Sequence, residues 1–571
     1  MSKYYIIASI FILGILPRLV TSQSTQSTEH YFKEKSEIYF RFPNNDKVDI
    51  RQLTRIISID HKTSTEWFYA YANEKTFAQF LDLNISFEIL PHPGSLINPK
   101  MKDFVDIKAT NDWDFYPTYE AYIDLMYQFE QTYPDLCDVF SIGTTVQGRQ
   151  IMVAKISDNV NVNEKEPRFL YTSTMHGDEA TGYILMLRLI EYLLKNFGTY
   201  EQVTNLVKNL EIWINPLANP DGTYAGGNNT VCCATRFNAN NIDINRNFPD
   251  PEDGPHPDGN DWQPETIEFM ELADSLTFVM SANFHGGTEV FNYPWDTWAK
   301  LHADDKWWNF VGREYADTVH AYAPADYFSE FNNGITNGYA WYTISGGRQD
   351  YMNYFHHCRE VTIEISDIKM PPENHLPEYW DYNYRSLLGY MTQALYGISG
   401  NVTDSESGLP LKAVVTINNH DIDGSWITSD SLTGGYFRPL SEGTYSITWF
   451  APKYASQTIE QVSVYNYQQT IQDIQLVYTG SGTTEKDYSN LFLITPNPVK
   501  EICKITYLGN EIINSRIGIT DPSGKLMKEG SFIFRPGNNS FYFSAVSLPV
   551  GFYLVEISTP AFEILKKIII D

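Results

Sequence analysis

A histidine and a glutamate three residues apart, His176 and Glu179, stand in the stretch YTSTMHGDEA at 171–180. The apolar run RFL precedes them and TGYILMLRLIEYLLKNF follows, so they sit where a strand-like stretch gives way to a helical one. Loops at strand ends are where rigid scaffolds carry chemistry. An imidazole and a carboxylate placed there can share one metal ion, or can be ordinary loop polarity. A second apolar run, LTFVMSANFHGG, ends in His285 and two glycines, which let backbone or substrate come close. Two histidines and one carboxylate with an open fourth position form the donor set of a catalytic zinc, whereas a structural zinc more often closes with four protein ligands.

The same His-x-x-Glu spacing recurs at His357/Glu360 and His375/Glu378. The first enters a strand, where an odd separation puts the side chains on opposite faces. The second lies in PPENHLPEYW, read as a proline-rich loop without a supporting element. Other polar residues gather near the metal candidates. ATRFNANNIDINRNFP carries Arg236, Asn245 and Arg246. Arginines there would suit a carboxylate through paired hydrogen bonds, although spacing alone reads INRNF as a solvated turn. Glu364 lies inside the β-rich run EVTIEISD, where a glutamate is costly unless paired or functional; an edge-strand surface position is the competing reading. The acidic stretch DPEDGPHPDGND, 250–261, has the oxygens for calcium but no regular spacing, and reads as a surface turn.

The elements that must position these residues belong to a long chain. A length of 571 residues allows about four domains. The formal net charge of −29 argues against nucleic acid or an anionic membrane as partner, because phosphates would be repelled. Lys3, the apolar run YYIIASIFILGIL and a small-residue exit read as a signal peptide over 1–22. That run is shorter than the ~20 residues that span a bilayer, and no transmembrane segment is expected elsewhere. Residues 23–110 mix short strands with the amphipathic KTFAQFLDL, a small α+β module whose position suits a propeptide. Residues 111–396 alternate long helical stretches with short apolar runs, which predicts an α/β domain whose mixed sheet is covered by helices on both faces. Short strands with Gly and Asn turns follow in two all-β sandwich-like modules, 397–478 and 491–571, joined by a polar linker at 479–490. The five cysteines, Cys137, Cys232, Cys233, Cys358 and Cys503, are too few for a disulfide framework and odd in number. They read as structural, with at most one or two bridges; the adjacent Cys232 and Cys233 suit neither an ordinary bridge nor a zinc site.

In order along the chain stand HGDE, NPLANPDG, RFNANNIDINRNFPD, ANFHGGTEVFNYPWD, NNGITNGYAWYTISGGRQDYMNY and VTIEISD. Together they resemble the zinc metallocarboxypeptidases, in the branch similar to carboxypeptidases N, E, D and M, over about half the chain. The resemblance implies one zinc per catalytic domain, held by His176, Glu179 and His285, with Glu364 as general base and Arg236 stabilising the oxyanion. It implies that Asn245 and Arg246 clamp the terminal carboxylate and that Tyr342 folds over bound substrate. Gln349 matches the floor of the pocket for the terminal side chain, and Asp296 matches the acid that pairs with a basic one. The expected activity is therefore removal of C-terminal Lys or Arg from peptides or proteins. The alternatives are the same fold acting on apolar C-termini or cell-wall peptides, and, from another class, a secreted non-catalytic binding protein. In that branch a transthyretin-like sandwich usually follows the peptidase, which is where residues 397–478 fall. The terminal run from LFLITPNP to EILKKIII resembles type IX secretion sorting domains, implying secretion machinery as a partner and a secreted or cell-surface location.

Overall fold

The computed structural model describes residues 28–479 apart from 33–34, 45–47, 61–65 and 111, and residues 491–570 apart from 510–511, 521–524, 536–538, 547, 550 and 560–562. The signal peptide expected over 1–22, and all but the first residue of the linker expected at 479–490, lie outside the described residues. Two compact units divide the chain, Met1–His92 and Pro93–Asp571.

In the first unit, Ser58–Ile59, Trp67–Asn73, Glu37–Pro43 and Glu88–Leu90 form an antiparallel sheet in that order. The helix Glu74–Asp82 starts at Asn73, whose side chain accepts from the Thr76 N–H while Thr76 returns the bond to the Asn73 N–H. Its Phe77 and Phe80 pack edge-on against Phe40 of the sheet, which explains why KTFAQFLDL is amphipathic. Residues 93–110 pack with the larger unit, where Met101–Lys102 pairs with Tyr116–Pro117. The first unit thus ends near His92 rather than at residue 110.

The large sheet of the second unit has eight strands: β1 Cys137–Thr144, β2 Gln150–Ile156, β3 Arg168–Ser173, β4 Glu211–Asn215, β5 Phe278–His285, β6 Thr288–Tyr293, β7 Ile335–Asn337 and β8 Arg359–Ser366. Their spatial order is β7-β6-β8-β5-β3-β4-β2-β1. The central four, β8, β5, β3 and β4, are mutually parallel, and antiparallel pairs at β6–β8 and β4–β2 make the sheet mixed. Alternation along the strands feeds two cores. Phe169, Tyr171, Ile212 and Ile214 face one core, shared with the helices α1 Tyr119–Thr132, α2 Thr181–Asn196, α5 Asp305–His320 and α7 Leu376–Thr392. Leu170 and Trp213 face the other, shared with α4 Pro264–Ser275 and α6 Arg348–Phe355. The remaining helix of this group, α3 Glu201–Asn209, adds Val203 and Leu206 to the first core. Strands buried on both faces read as continuous apolar runs, which is how RFLYTS and FVMSANF appear in the sequence.

The expectation for His375 and Glu378 needs correction. They stand at the start of α7, 3.1 Å apart and exposed, so the prolines open a helix rather than a loop. His357 bonds the Gly424 carbonyl, while Glu360 accepts from Ser281 and Arg348, so that pair does not converge.

Two β-rich regions follow. Gly397–Asp404 pairs with Gly435–Arg438, Gln469–Ile471 and Ile474–Leu476, and Gly443–Phe450 pairs with Val414–Ile417 and Gln457–Val464. Ile398, Val402, Val415, Ile447 and Trp449 share one core. Farther on, a three-stranded sheet around Ile502–Tyr507 and a four-stranded sheet around Ile513–Thr520 and Gly551–Ser558 share Phe492, Ile505, Ile517, Val555 and Ile568.

A buried charge cluster ties the first of these regions to the α/β part. Asp304, just before α5, accepts from Arg359 of β8 at 2.9 Å and takes both terminal nitrogens of Arg438, from the strand Gly435–Arg438, at 2.9 Å each. Arg438 also donates to Asp421 at 2.6 Å. The two arginines hold the Asp304 carboxyl well below the ordinary aspartate range despite its burial. Removing one partner of such a set strands the others in a dry interior, at ~3–5 kcal/mol. Asp304→Ala is therefore expected to lower stability by ~3–5 kcal/mol, measured by urea denaturation, with Asp304→Asn falling between it and the parent.

Candidate active site

The site gathers at the carboxyl ends of β3, β5 and β8, where parallel sheets place their ligands. After β3 the chain turns through Thr174, which holds a left-handed φ of 60°. That conformation costs a β-branched residue about 1–3 kcal/mol and persists only where neighbours hold it. Here the Thr174 N–H donates to Phe284 of β5, and its hydroxyl donates to the Glu179 carbonyl. The turn aims His176 and Glu179 back over the sheet. β5 ends on His285, and parallel register sets His285 beside Glu364 of β8. β8 lies between β6 and β5, so Glu364 is on an interior strand and fully buried, not on an edge.

Three donor atoms face one point. His176 Nδ1 and Glu179 Oε2 are 3.0 Å apart, His285 Nδ1 and Glu179 Oε2 2.8 Å, and the two Nδ1 atoms 3.0 Å. Tetrahedral ligands about 2.0–2.1 Å from zinc stand ~3.3 Å from one another, so this buried set fits that ion. Among the described residues one other group could hold a metal, the partly exposed, all-carboxylate Asp158, Glu164 and Glu166. The acidic stretch 250–261 does not form such a group; its Asp250 instead caps a turn, accepting the Glu252, Asp253 and Gly346 N–H groups.

The surrounding charges orient the donors. Asp243 accepts from His176 Nε2 at 3.1 Å, the carboxylate–imidazole contact that fixes a metal-binding ring. Arg236 donates to Asp243 at 3.0 Å and to Glu179 Oε1 at 3.2 Å, and Lys369 donates to Glu179 Oε1 at 2.6 Å. Burial and Arg236 disfavour charge on His176, but Glu179 and Asp243 outweigh them and its pKa is raised. Burial and His176 push His285 down to about 4. Burial lifts the Glu364 carboxyl to about 8, His285 opposing and Glu179 adding to it; a dication in the site would draw it down again.

The remaining expected residues are brought to the same place. Asn245 and Arg246 lie in a short 3₁₀ turn, Ile244–Arg246, and are buried; INRNF is not a solvated turn. The Asn245 side-chain oxygen accepts the Arg348 N–H at 2.9 Å, which turns its amide N–H₂ the other way. Arg246 Nε and Nη2 are buried without a hydrogen-bond partner among the described residues, a donor pair suited to an anion. Asp296 is also buried, not solvent-facing, and accepts from Asn292 at 3.0 Å and Gln349 at 3.1 Å. Gln349 accepts the Thr362 N–H of β8 at 2.7 Å, so its amide is fixed at both ends. A Cβ placed on Gly347 would lie 3.7 Å from Asp296 and 3.8 Å from Asn245, so these two side chains border one space. Burial raises the Tyr342 phenol, and the charges acting on it are Arg246, Glu364, Arg236 and Asp296.

Four contributors escaped the sequence reading. Asp243 and Lys369 hold the candidate metal ligands His176 and Glu179, and Asp350 accepts the Asp296 and Thr297 N–H groups. Arg348 of α6 forms a buried pair with Glu360 of β8 at 3.0 Å. Asp243 and Asp350 were within reach, each lying in a quoted motif beside an assigned residue, but nothing in spacing announces a side chain that accepts backbone N–H.

A family model described as zinc carboxypeptidase matches residues 122–386. The Homo sapiens carboxypeptidase N catalytic chain is 35% identical over 384 residues, covering 60% of this chain and 81% of that protein. This chain belongs to the zinc carboxypeptidase family. Mus musculus carboxypeptidase D is 39% identical over 345 residues; the match covers 57% of this chain and spans about a quarter, 24%, of that longer protein. Among solved structures, carboxypeptidase A from Helicoverpa armigera aligns at a TM-score of 0.47 and 16% identity, over 62% of this chain and 96% of the other. Residues 493–571 match a secretion system C-terminal sorting domain. The zinc of this carboxypeptidase family is thus the ion that the His176–Glu179–His285 donor set fits. No described helix is long and apolar enough to cross a membrane.

Gly177, between the two candidate metal ligands of HGDE, has no room for a side chain: a Cβ would come within 2.3 Å of the Gly222 carbonyl carbon and 2.4 Å of the Thr223 nitrogen. Backbone cannot swing aside as a flexible side chain can. Gly177→Ala should therefore displace His176 and Glu179 and lower the zinc content of the purified protein well below one equivalent, measured by metal analysis. Gly389→Ala, in α7 with nothing within 4 Å and an ordinary helical backbone, serves as the control that keeps its zinc.

Proposed function

We propose that this protein is an exported carboxypeptidase that removes C-terminal Lys or Arg from peptides or proteins. The observation that carries the basic preference is the buried Asp296 carboxylate, held by Asn292 and Gln349 and bordering the same space as Asn245. A carboxylate taken out of water favours a cationic side chain and disfavours an acidic or apolar one.

The residue roles follow from position. Asn245 and Arg246 receive the terminal carboxylate of the substrate, which restricts the enzyme to chain ends. Tyr342 closes over it. Zinc, when bound, supplies Lewis-acid polarisation of the scissile carbonyl and makes water a competent nucleophile near neutral pH. Glu364 takes the proton of the attacking water at a carboxylate oxygen and returns it to the leaving amine. Arg236 donates to the oxyanion as charge develops there; one such donor contributes ~3 kcal/mol. The burial of Glu364, Arg236 and Tyr342 keeps bulk water away from these charges, which strengthens each interaction. Residues 397–478 are read as a transthyretin-like companion domain, and residues 1–22 with the C-terminal domain as the two export signals of a type IX route.

Dansylated peptides ending in Arg, Phe or Glu, assayed with and without chelator, test the reading directly. Chelator-sensitive release of Arg ahead of Phe supports it. Phe ahead of Arg would favour the apolar-specific alternative, and no release from zinc-loaded protein would favour a non-catalytic binding protein.

Glu364→Gln should retain zinc by metal analysis and lose roughly 10²–10⁴-fold in kcat; turnover at the parent rate would remove Glu364 from the proton path. Asp296→Ala should raise KM for an Arg-ended peptide by ~30-fold or more, about 2 kcal/mol, with little change for a Phe-ended one. Burial raises Asp296 to about 6, with Arg246 drawing it down and Asp250 pushing it up. The acid is charged above that value and neutral below it. The ratio of kcat/KM for Arg-ended over Phe-ended substrate is therefore expected to fall as pH drops through about 6, and to be flat with pH in Asp296→Ala.

A further inference from the structure

Cys232 and Cys233 take no part in the chemistry above, yet their geometry is unusual. The two sulfurs are 3.0 Å apart. Cys233 is exposed and Cys232 half-buried, so a small reagent can reach the pair. The backbone is held in place around them. The Cys232 N–H donates to the Thr230 hydroxyl, the Cys233 N–H to the Gly94 carbonyl at 2.7 Å, and the Thr235 N–H to the Gly222 carbonyl at 2.8 Å. Cys233 holds a left-handed φ of 67°, which is uncommon for a residue with a side chain. Gly226 admits this course of the chain, since a Cβ there would stand 2.3 Å from the Cys232 carbonyl oxygen.

No other pairing competes. Cys137, Cys358 and Cys503 are buried in three different hydrophobic cores, so none can meet another or reach 232–233. The hydrogen bond with Cys233 and then burial push the Cys232 thiol up to about 11, as expected when one proton is shared between two sulfurs.

We propose that Cys232 and Cys233 are a redox-active dithiol that closes to a vicinal disulfide by exchange with a small-molecule disulfide. The exposed Cys233 sulfur, as thiolate, attacks the reagent and expels one thiol; the Cys232 sulfur then displaces the second. Two S–H bonds are lost and one S–S bond forms, with two electrons passed to the reagent and two protons leaving with its thiols. Neighbouring Cα atoms are held about 3.8 Å apart by a trans peptide, closer than the about 4.4–6.8 Å of ordinary disulfides. A bridge closed through one peptide bond is thus of the reducible kind, a switchable bond rather than a permanent staple. It sits three residues before Arg236, whose carbonyl accepts from Gly177 and Asn219. This inference does not depend on the substrate specificity proposed above.

The full-length protein, reduced and then treated with excess oxidised glutathione at mildly alkaline pH, is denatured, alkylated with N-ethylmaleimide without reductant and digested. The expected result is a 232–233 peptide free of alkyl groups and lighter than the dithiol by two hydrogens, with Cys137, Cys358 and Cys503 each alkylated. Cys232→Ser should instead stop at a glutathione adduct on Cys233. Alkylation of both cysteines, a lasting glutathione adduct on the parent protein, or a bridge to any of the other three would overturn the proposal. Independently, the reduced native protein should bind one equivalent of phenylarsine oxide, and Cys232→Ser none; equal binding by the two would overturn it as well.

Discussion

Glu179 is completely buried, and its two carboxylate oxygens face different tasks. Oε2 points at His176 and His285 and accepts the Gly286 N–H, while Oε1 takes Lys369 and Arg236. A carboxylate in a dry interior is costly unless it is paired and hydrogen-bonded on every side. Satisfying this one residue therefore dictates much of its neighbourhood. The two histidines must arrive from the ends of separate strands, and Arg236 from a loop that the Asn219 side chain and the Gly177 N–H hold by its carbonyl. Lys369 must come from just beyond β8. Arg236 and Lys369 offset the Glu179 charge at Oε1, while its Oε2 and the two imidazole Nδ1 atoms stand within 3.0 Å of one another.

The sheet makes that convergence rigid. β3, β5 and β8 are adjacent and parallel, which puts His176, His285 and Glu364 at one end of the sheet without long-range loops. Both faces of these strands are packed, so a slip of one residue would exchange the contents of two cores. The Asp304 cluster extends the same rigidity. Arg359, at the start of β8, is held through Asp304 to Arg438 in the following β-rich region, and Glu364 lies farther along the same strand. The β-rich region thus helps position the strand that carries Glu364 instead of trailing behind as an appendage.

A second layer of carboxylates surrounds Asp296, the acid of the proposed pocket for the substrate's terminal side chain. Asp296 projects its side chain toward Gln349, and its backbone N–H is held by Asp350. Burial and the nearby Asp296 charge push Asp350 well above the ordinary aspartate range. Two acids this close in a dry site resist ionising together, and a cationic ligand relieves that repulsion. On the proposed reading of Asp296, selectivity and proton uptake would be linked through this pair.

Much of this was legible in the residues alone. Apolar runs ending in HGDE and FHGG announced two strands with metal-capable ends, because a buried parallel strand leaves a continuous hydrophobic trace and polar residues appear only where it emerges. The alternation of helices and strands announced the α/β layering. Ordered motifs named Glu364, Arg236, Asn245, Arg246, Tyr342, Asp296 and Gln349. Spacing alone did not reveal that INRNF is buried, that β8 is interior, or that the prolines before Glu378 open a helix. Each of those depends on which strand lies next to which, and strand order is set by packing between segments far apart in the chain. The roles of Asp243, Lys369 and Asp350 were not legible from spacing for the same reason, although the first and last stand inside the ordered motifs, since an acid or a lysine declares its role only through the partner that folding brings to it. The sequence by itself determined the chemistry available and the elements that carry it. Tertiary structure alone decided which charges would be buried together, because desolvation and pairing are properties of neighbours in space.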